Sequence, residues 1–497
     1  MKHKAFIKNA VILTVTSLIL RTVGIFFRIW MSNTIGAEGI GLYQLIFSVY
    51  VLASTFATTG ITTAVTRMVS ELPTPGSAAK KILLRAVLLS LIIAFVTLVT
   101  LFFSADFIAR RLLCDERATL SIQILGFSLP FMGVSSCLRG YFIAVRNTAS
   151  PSVGQLFEQL IRMVLIVFLV SRYAALGLAA TSAAVLAGDT AAEAFGCILL
   201  YILYKLERRK YKRTPKTPYP VTRKLLHIAV PITAGRYIHT ILRTCENLLV
   251  PARLSLFTSA KSHALEQFGR LKGMAMPILF FPASFLTAFS TLMIPEISES
   301  LACGKVGRVR VATQKSIGIT VLISTLLGGI FLLCGEDLSE VLYHERETGF
   351  LIKALAPLVP LMYLESVCDG ILKGLDQQGY SFAYGVVDSV SRIVLIWFLV
   401  PGYGMKGFLL IMVYSNLLTS LLNVRRLLKV TETPIKIKSW VLIPLISAAS
   451  GVTAGYFCMR AFDGALLRLA VGSGVTAAVY IAFMLLLGEL AVFNDLY

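Results

Sequence analysis

Two arginines inside the first apolar segment are the residues whose chemistry is easiest to read. The segment runs roughly from Lys8 to Ile35 and contains Arg21 and Arg28, seven positions apart. Seven helical positions advance about 700°, so both side chains lie on one face, about 10 Å apart along the axis. Two guanidiniums on one face can bind an anion such as a pyrophosphate through charge-assisted, bidentate hydrogen bonds.

The free-energy cost of this pair in a membrane decides how it must be placed. An arginine at the centre of a membrane helix costs about 2.5–3.5 kcal/mol, and each Leu, Ile, Val or Phe returns about 0.3–0.6 kcal/mol. About a dozen such apolar side chains therefore roughly offset two arginines. The pair is tolerated where it faces a wet cavity, a partner charge or an anionic ligand. The structural alternative is a pair that reaches water near the helix ends.

A second arginine pair has the same spacing. Arg236 and Arg243 are also seven positions apart, and both are offset by 215 from the first pair. We predict that the four arginines bind substrate together in one cavity, although a duplicated structural feature would also appear twice.

Other charged residues fall within apolar segments. Glu158 and Arg162, and likewise Asp388 and Arg392, are acid-to-base pairs four positions apart, which predicts structural ion pairs. Asp189 and Glu193 have no basic residue within one helical turn. They are candidates for a sodium or proton site, and the alternative is pairing with an arginine of a neighbouring helix.

Composition indicates a polytopic membrane protein. Of 497 residues, 56% are apolar and 15% charged, and the mean hydropathy is +0.78. The net charge of +21 comes from short loops between apolar segments, which indicates orientation in a membrane and excludes nucleic acid as the expected partner. The eight cysteines and five histidines are scattered, so we predict no disulfide framework, no metal site and no cofactor.

Apolar windows long enough to span a bilayer number fourteen. They lie at about 8–34, 42–68, 82–105, 119–145, 153–171, 176–204, 225–251, 268–296, 315–335, 350–373, 382–400, 405–428, 440–460 and 466–488. Alternate loops are basic, above all the run at 205–213, whereas the loop at 336–349 is acidic. Both termini are therefore predicted to be cytoplasmic, in a multi-pass protein of the bacterial cytoplasmic membrane.

An internal repeat divides the chain. Residues 130–177 align without gaps on 360–407, an offset of 230, with thirteen identities in 48 positions. The repeat unit is six helices, and an even number keeps its orientation, so the halves are parallel repeats. We predict an all-α fold with two six-helix lobes and two C-terminal helices. The lobes are 1–204 and 225–428, joined by a basic linker at 205–224 and followed by 429–497. In such transporters the substrate lies between the halves, near the midplane.

Helix 13 of the prediction contains Gly451 and Gly455, a GxxxG motif for close helix packing. A dimer contact, internal packing and a groove for a lipid tail are all consistent with it.

Two blocks of the sequence resemble the stage V sporulation protein B family of endospore-forming bacteria. The first is Leu20-Arg-Thr-Val-Gly24, then Arg28 and the run from Ile35 to Gln44; the second runs from Met274 through Pro277, Pro282 and Pro295 to Ser298. The resemblance covers essentially the whole chain. It implies membership of the superfamily that contains multidrug extruders, lipid II flippases and O-antigen flippases.

The resemblance implies a lipid-linked sugar precursor as substrate, and peptidoglycan or spore cortex as its destination. In the related lipid II flippases the first helix also carries two arginines, six rather than seven apart. Arg21 matches the first, whereas Arg28 requires a one-residue shift; a further cavity arginine of those proteins matches Arg236 or Arg243 only loosely. Their last two helices hold the polyprenyl tail, which would give helices 13 and 14 here the same purpose.

The leading hypothesis is a flippase for a lipid II-like, undecaprenyl-pyrophosphate-linked glycan, working by alternating access. Its partners would be that lipid, membrane lipids and cell-wall synthases. No nucleotide-binding motif is present, so an ion gradient or the membrane potential must drive transport. A cation-coupled multidrug exporter would need cavity carboxylates where the first helices offer arginines. A non-transporting scaffold of spore-wall assembly is a further alternative, and the scattered histidines argue against an enzyme.

Overall fold

The chain folds almost entirely into helices, as a computed structural model shows for residues 2–58, 60–72, 76–210 and 221–487. The predicted all-α class is confirmed: the described residues contain α-helices with short π and 3₁₀ turns, and no strand. The helices are α1 Lys2–Thr58, α2 Ile61–Ser70, α3 Ser77–Phe107, α4 Ala118–Gly126, α5 Leu129–Ala144, α6 Ala149–Tyr173, α7 Leu178–Arg208, α8 Val221–Thr258, α9 Lys261–Phe268, α10 Met276–Phe280, α11 Ala283–Ala302, α12 Val306–Tyr343, α13 Glu347–Leu355, α14 Val359–Gly374, α15 Gln378–Thr431, α16 Ile443–Met459 and α17 Ala465–Leu486.

Many of these helices are long and apolar enough to cross a membrane. Among the described residues there are 10, or 11 if the bent pair α4 and α5 forms one span. The two longest helices each contain a glycine outside the helical conformation, Gly36 in α1 and Gly404 in α15. Each of these helices therefore covers two of the predicted windows. The multi-pass membrane location is confirmed, and the count of fourteen stays a prediction.

The two breaks occur at glycines because both have positive φ, 73° at Gly36 and 59° at Gly404. An L side chain in that region costs free energy, whereas glycine enters it freely. Apolar periodicity continues across each break, so hydropathy alone does not reveal it.

The internal repeat is visible in the helix bounds. Adding 230 to the bounds of α5 gives those of α14, and α6 begins one residue from the position that corresponds to the start of α15. The non-glycine residues in the left-handed region repeat as well: Cys114 with His344, and Arg146 with Asp376. The sequence repeat thus specifies the same helix ends twice. The six-helix lobes and the linker remain predictions, and 211–220 of that linker lies outside the described residues.

Contacts divide the chain into two compact units, and the division does not follow the order of the sequence. The first unit contains 1–23 and 42–252, and the second contains 24–41 and 253–497. Most of α8 therefore belongs to the first unit, although the repeat assigns its window to the second lobe. The segment 24–41 of α1 belongs to the second unit.

Residues 24–41 are held in the second unit by a close helix crossing. A Cβ at Gly41 would lie 2.2 Å from the carbonyl oxygen of Leu265, and one at Gly269 would lie 1.9 Å from that of Ala37. Only glycine permits such an approach on both sides. At the other end of the segment, Nδ2 of Asn33 donates to the carbonyl of Leu342 at 2.9 Å.

The GxxxG motif packs helices within this chain. A Cβ at Gly451 would lie 2.7 Å from the carbonyl oxygen of Thr476, and one at Gly455 would lie 2.4 Å from the Thr476 hydroxyl. Gly472 on α17 makes the reciprocal approach, toward Sγ of Cys334. The motif therefore joins α16, α17 and α12, which is the internal-packing alternative.

Candidate functional site

A ladder of small residues brings α7 against α6. Ala184, Gly188, Ala192 and Gly196 repeat every four positions on one face of α7, and all are buried. A Cβ at Gly188 would lie 2.6 Å from Cγ1 of Ile166 on α6, so the two helices touch through their backbones. Such ladders are typical of close packing in membranes. The close approach places the charged residues of both helices within reach of one another.

These charged residues form a buried group, which we name the N-half network. Its members are Arg139 on α5, Glu158 and Arg162 on α6, and Asp189 and Glu193 on α7. Arg162 is its centre: its guanidinium lies 2.8 Å from Glu158, 3.0 Å from Asp189 and 3.4 Å from Glu193. The predicted contact between Glu158 and Arg162 is therefore present, but as one part of a larger network.

Glu158 is shared by two arginines. Nη2 of Arg139 lies 2.8 Å from its Oε2, and Nη2 of Arg162 lies 2.8 Å from its Oε1. The residue is only 8% exposed. A Cβ at Gly196 would lie 3.0 Å from Cγ and Oε2 of Glu158, so the glycine makes the space for this carboxylate.

The charge balance of the N-half network leaves one negative charge in excess when all five groups are ionised. Three carboxylates face two guanidiniums, and Arg162 lies between them. Tyr43 adds a hydrogen bond to Asp189. The described residues contain no group of three or more His, Cys, Asp or Glu side chains arranged to hold a metal ion. The guanidinium of Arg162 therefore occupies the space between the three carboxylates.

The corresponding positions of the second half carry different chemistry. Adding 230 to the N-half network gives Asp369, Asp388, Arg392, Thr419 and Asn423, which we name the C-half positions. Arg392 lies 3.6 Å from Asp388, four positions earlier on α15. Asp369 pairs instead with Lys373 at 2.5 Å. The carboxylate of Glu365 lies beside Thr419.

The four arginines predicted to bind substrate belong to three helical segments. Arg21, Arg236 and Arg243 belong to the first unit, and Arg28 belongs to the second. Arg28 is half-buried, whereas the other three are exposed. Their convergence on one cavity stays a prediction.

The packed face of α8 explains why its two arginines are exposed. Tyr237 stacks on Phe56 with ring centroids 3.9 Å apart. About two turns further along α8, Thr244 donates to the Ser48 carbonyl at 3.2 Å, and Asn247 donates to the Ser48 hydroxyl at 3.0 Å. Arg236 precedes Tyr237 by one position, and Arg243 precedes Thr244 by one. One position is about 100° around a helix, so both arginines lie at the edge of the packed face.

Helix α8 is less apolar than other membrane-length helices of the chain. The most apolar stretch of α8 has a mean hydropathy of only 1.2, and 11% of that stretch is buried. The segment Ser77–Leu112 is also little buried, at 22%, but its mean hydropathy is 2.8. Surface exposed to lipid tails must be apolar, as in Ser77–Leu112. Helix α8 therefore presents two exposed arginines together with exposed apolar side chains such as Val230 and Ile238.

Sequence reasoning missed some of these residues. Arg139 was not among the predicted site residues, yet its Nη2 lies 2.8 Å from Oε2 of Glu158. The signal was present in the repeat, which pairs Arg139 with a second charged residue, Asp369, at the same offset. Tyr43 gave no signal, because one tyrosine in an apolar helix is ordinary. Asp189 and Glu193 lie next to Arg162, which is the alternative of pairing with a neighbouring helix.

The fold and its buried charges define a polytopic helical membrane protein with ionic groups in its interior. Residues 6–301 match the family described as polysaccharide biosynthesis proteins, and the chain belongs to that family. The predicted resemblance is confirmed: the chain is 24% identical to stage V sporulation protein B of Bacillus subtilis (strain 168), over 98% of this chain and 96% of that protein. It is also 23% identical to the lipid II flippase MurJ of the same organism, over 78% of this chain and 76% of that one.

Solved structures with the same fold come from two groups of membrane proteins. A lipid II flippase MurJ in an inward closed conformation superposes with a TM-score of 0.74 at 14% identity, covering 97% of this chain and 99% of that one. An inward-facing MATE-family multidrug resistance transporter of the MOP superfamily gives 0.62 at 14% identity, covering 86% of this chain and all of the other. These likenesses establish the fold.

Proposed function

We propose that this protein is a flippase that moves a lipid-linked glycan precursor, of the undecaprenyl-pyrophosphate type, across the cytoplasmic membrane for peptidoglycan or spore cortex synthesis. The relatives support the class, because they include a lipid II flippase and a stage V sporulation protein. The observation that carries the substrate assignment is the pair of exposed arginines on α8, whose seven-residue spacing Arg21 and Arg28 repeat on α1.

The arginines would bind the pyrophosphate by charge-assisted hydrogen bonds, and the planar fork of each guanidinium matches the phosphate oxygens. The polyprenyl tail would stay in lipid along α16 and α17 while the head group crosses. An inside-negative membrane potential favours outward movement of a bound anion by about 2.3 kcal/mol per charge per 100 mV. The potential can therefore drive transport without a nucleotide site.

The N-half network is proposed as the place where a proton enters the cycle. Its three carboxylates and two guanidiniums leave one excess negative charge, which one proton neutralises. Neutralising Asp189 or Glu193 would release one contact of Arg162 and let α7 move relative to α6. Asp189 and Glu193 are the proposed proton-binding residues, and Glu158 is the group that keeps Arg162 in place.

The experiment for the substrate is a flipping assay in proteoliposomes with fluorescent lipid II. Arg21→Ala, Arg28→Ala, Arg236→Ala and Arg243→Ala are compared with wild type under an imposed potential. A hydrogen bond to a charged group contributes about 1.5–3 kcal/mol, so each substitution at a binding arginine is expected to slow flipping roughly tenfold or more. Arg172→Ala is the matched control, because Arg172 is exposed at the end of α6 and is expected to leave the rate unchanged.

Three outcomes of this assay would reject the assignment. Wild-type protein that moves no lipid II under any gradient or potential would favour another lipid-linked substrate or a non-transporting scaffold. Transport of organic cations in place of lipid II would favour the multidrug exporter. Flipping that survives in all four arginine variants would remove the arginines from the mechanism.

Proton coupling is tested by the pH dependence of flipping at zero potential. Asp189→Asn and Glu193→Gln are expected to flatten the dependence on a pH gradient, and a sodium gradient is expected to have no effect. Asp369→Asn is the control at a C-half position. A sodium-driven rate, or an unchanged pH dependence in both variants, would contradict the proposed role of the network.

A further inference from the structure

A pocket of about 620 Å³ opens in the second unit, and its lining contains none of the four arginines and no residue of the N-half network. It lies between the C-terminal end of α12 and one face of α16, and we name it the outer pocket. Its volume falls in the range of about 300–1,000 Å³ that is usual for ligand sites. Its charged lining residues are Glu336, Asp337, Glu340, Arg346, Lys353 and Arg468. Its apolar wall includes Val452, Tyr456 and Phe457.

The outer pocket lies where three helices leave the hydrocarbon. In α12 an apolar run ends at Cys334, and Glu336 and Asp337 follow at once. Helix α16 ends at Met459 with Arg460 next, and α17 begins at Ala465 with Arg468 in its first turn. The basic loops assign the opposite end of α12, near Lys305, to the cytoplasm. The pocket is therefore at head-group level on the outer side of the membrane.

The charges of the outer pocket balance and form pairs of unequal strength. Asp337 and Arg468 are 2.7 Å apart, and the Asp337 side chain is only 9% exposed. This pair therefore forms the buried bottom of the pocket. Glu336 with Lys353 at 2.7 Å and Glu340 with Arg346 at 2.9 Å form the rim, and their side chains are 31–67% exposed. An exposed ion pair contributes only about 0–1 kcal/mol to stability. The rim groups can therefore give up their contacts with one another and bind the charges of a ligand at little cost in free energy.

The first half of the chain has a similar rim of charges. The positions that correspond to Glu340 and Arg346 are Arg110 and Glu116, which pair at 3.5 Å with their charges exchanged. The wall of the outer pocket comes from α16, which follows the repeated part of the chain. The outer pocket thus combines a charged rim like that of the first half with an apolar wall that belongs to α16.

We propose that the outer pocket binds the head group of an outer-leaflet phospholipid that carries a phosphate diester and a primary ammonium, with its acyl chains against α16. Three carboxylates and three cations make the lining electrically neutral, which suits a zwitterion and gives an anionic lipid no net attraction. The ammonium supplies three donors to Glu336 and Glu340, and the phosphate accepts from Arg346 and Lys353. Val452 and Phe457 provide the apolar surface next to the glycerol and first methylenes. This site goes beyond the proposed transport function and does not depend on it.

The test measures retained lipid and needs no transport. The full-length protein is reconstituted in nanodiscs of equal parts phosphatidylethanolamine, phosphatidylglycerol and phosphatidylcholine, then released and analysed by native mass spectrometry. Wild type is expected to retain phosphatidylethanolamine several-fold over the other two. Thr453→Trp fills the pocket from its exposed wall and is expected to abolish that preference. Leu445→Trp, at an exposed position of the same helix outside the pocket, is expected to preserve it.

A second variant reads out the charges. E336Q/E340Q leaves the cations of the rim uncompensated, so the preference is expected to move from phosphatidylethanolamine to phosphatidylglycerol. Preference of the wild type for phosphatidylglycerol, equal retention of all three lipids, or a preference that survives Thr453→Trp would each overturn the proposal. So would a preference that E336Q/E340Q leaves unchanged.

Discussion

The N-half network and the C-half positions occupy the same places in two copies of one helical pattern, yet they treat buried charge differently. In the first half, Glu158 is held at 2.8 Å by two arginines, and Arg162 contacts three carboxylates. In the second half, Asp388 is 3.6 Å from Arg392, and threonine and asparagine stand where the first half has Asp189 and Glu193.

The two halves share the acid-to-base pair and differ in the residues at the positions that correspond to Asp189 and Glu193. The acid-to-base pair is present on both α6 and α15, and the helices that precede them, α5 and α14, have corresponding ends. Beyond the break at Gly404, the neutral side chains of Thr419 and Asn423 stand where the first half has the carboxylates of Asp189 and Glu193. A retained pair surrounded by changed partners is expected when the pair stabilises the bundle and the partners carry a function that only one half needs.

The largest expected effect comes from removing the shared carboxylate. Breaking a buried ion pair by removing one partner costs about 3–5 kcal/mol, because the remaining charge stays buried. Glu158→Gln takes this carboxylate from Arg139, whereas Arg162 keeps Asp189 and Glu193, so the free energy of unfolding is expected to fall by about 3 kcal/mol, the lower end of that range. Asp388→Asn is expected to cost less, because Nη1 of Arg392 lies 3.6 Å from that carboxylate. Thermal or denaturant unfolding in detergent measures both, and equal losses would contradict the distinction between the halves.

A double-mutant cycle measures the coupling directly. Residues in one ion-pair network couple by about 0.5–3 kcal/mol. The cycle of Arg139→Gln with Glu158→Gln is expected to fall in the upper part of that range. The cycle of Lys373→Gln with Asp369→Asn, whose side chains are 53% and 32% exposed, is expected to stay below about 1 kcal/mol. A larger coupling in the second cycle would reverse the comparison.

Packing around the shared carboxylate gives a smaller effect. Gly196→Ala places a methyl group 3.0 Å from Cγ and Oε2 of Glu158, and overpacking typically costs about 1–3 kcal/mol. Gly474→Ala, where a Cβ meets nothing within 4 Å, is the control and is expected to be neutral or stabilising. If both variants unfold alike, the close contact between α7 and Glu158 is not needed.

The ion pair of Lys224 and Glu71 is exposed, and its loss is expected to have the smallest effect on the free energy of unfolding. Lys224 hydrogen-bonds Glu71 at 2.6 Å and lowers the pKa of that carboxyl. A lowered carboxyl pKa stabilises the fold above the unfolded value of about 4.3, and this is lost as the pH falls through the folded pKa. Glu71→Gln is expected to change the free energy of unfolding by no more than about 1 kcal/mol at pH 7 and to remove this acid dependence. A loss as large as that of Glu158→Gln would be contrary to its exposed position.

The helical class and the repeat were predictable because hydropathy and residue identity along the chain are enough to detect both. Apolar windows identify the spans, and the ungapped offset of 230 predicts helix ends that the structure repeats to the residue in α5 and α14. The helix breaks at Gly36 and Gly404 could not be predicted from the sequence. A glycine in an apolar segment is common, and only the three-dimensional fold decides which one takes a positive φ.

The candidate site was only partly predictable. Glu158 and Arg162 are four positions apart, so their contact follows from helix geometry alone. Arg139, Asp189 and Glu193 join them from other helices, and the approach depends on the ladder of small residues on α7. Spacing within one helix is visible in the sequence, whereas the register between two helices is set by packing. The same limit applies to the four arginines.

Residues 24–41 pack in the second unit, and this affects when that unit can assemble during synthesis. Asn33 is made early, but its partner Leu342 follows 309 residues later. At a typical rate of about 5–20 residues per second, this corresponds to about 15–60 s. During that interval the segment with Arg28 must wait in the membrane without Leu265 and Leu342. The second unit therefore cannot close while the chain is short, and its assembly is tied to the late stages of translation.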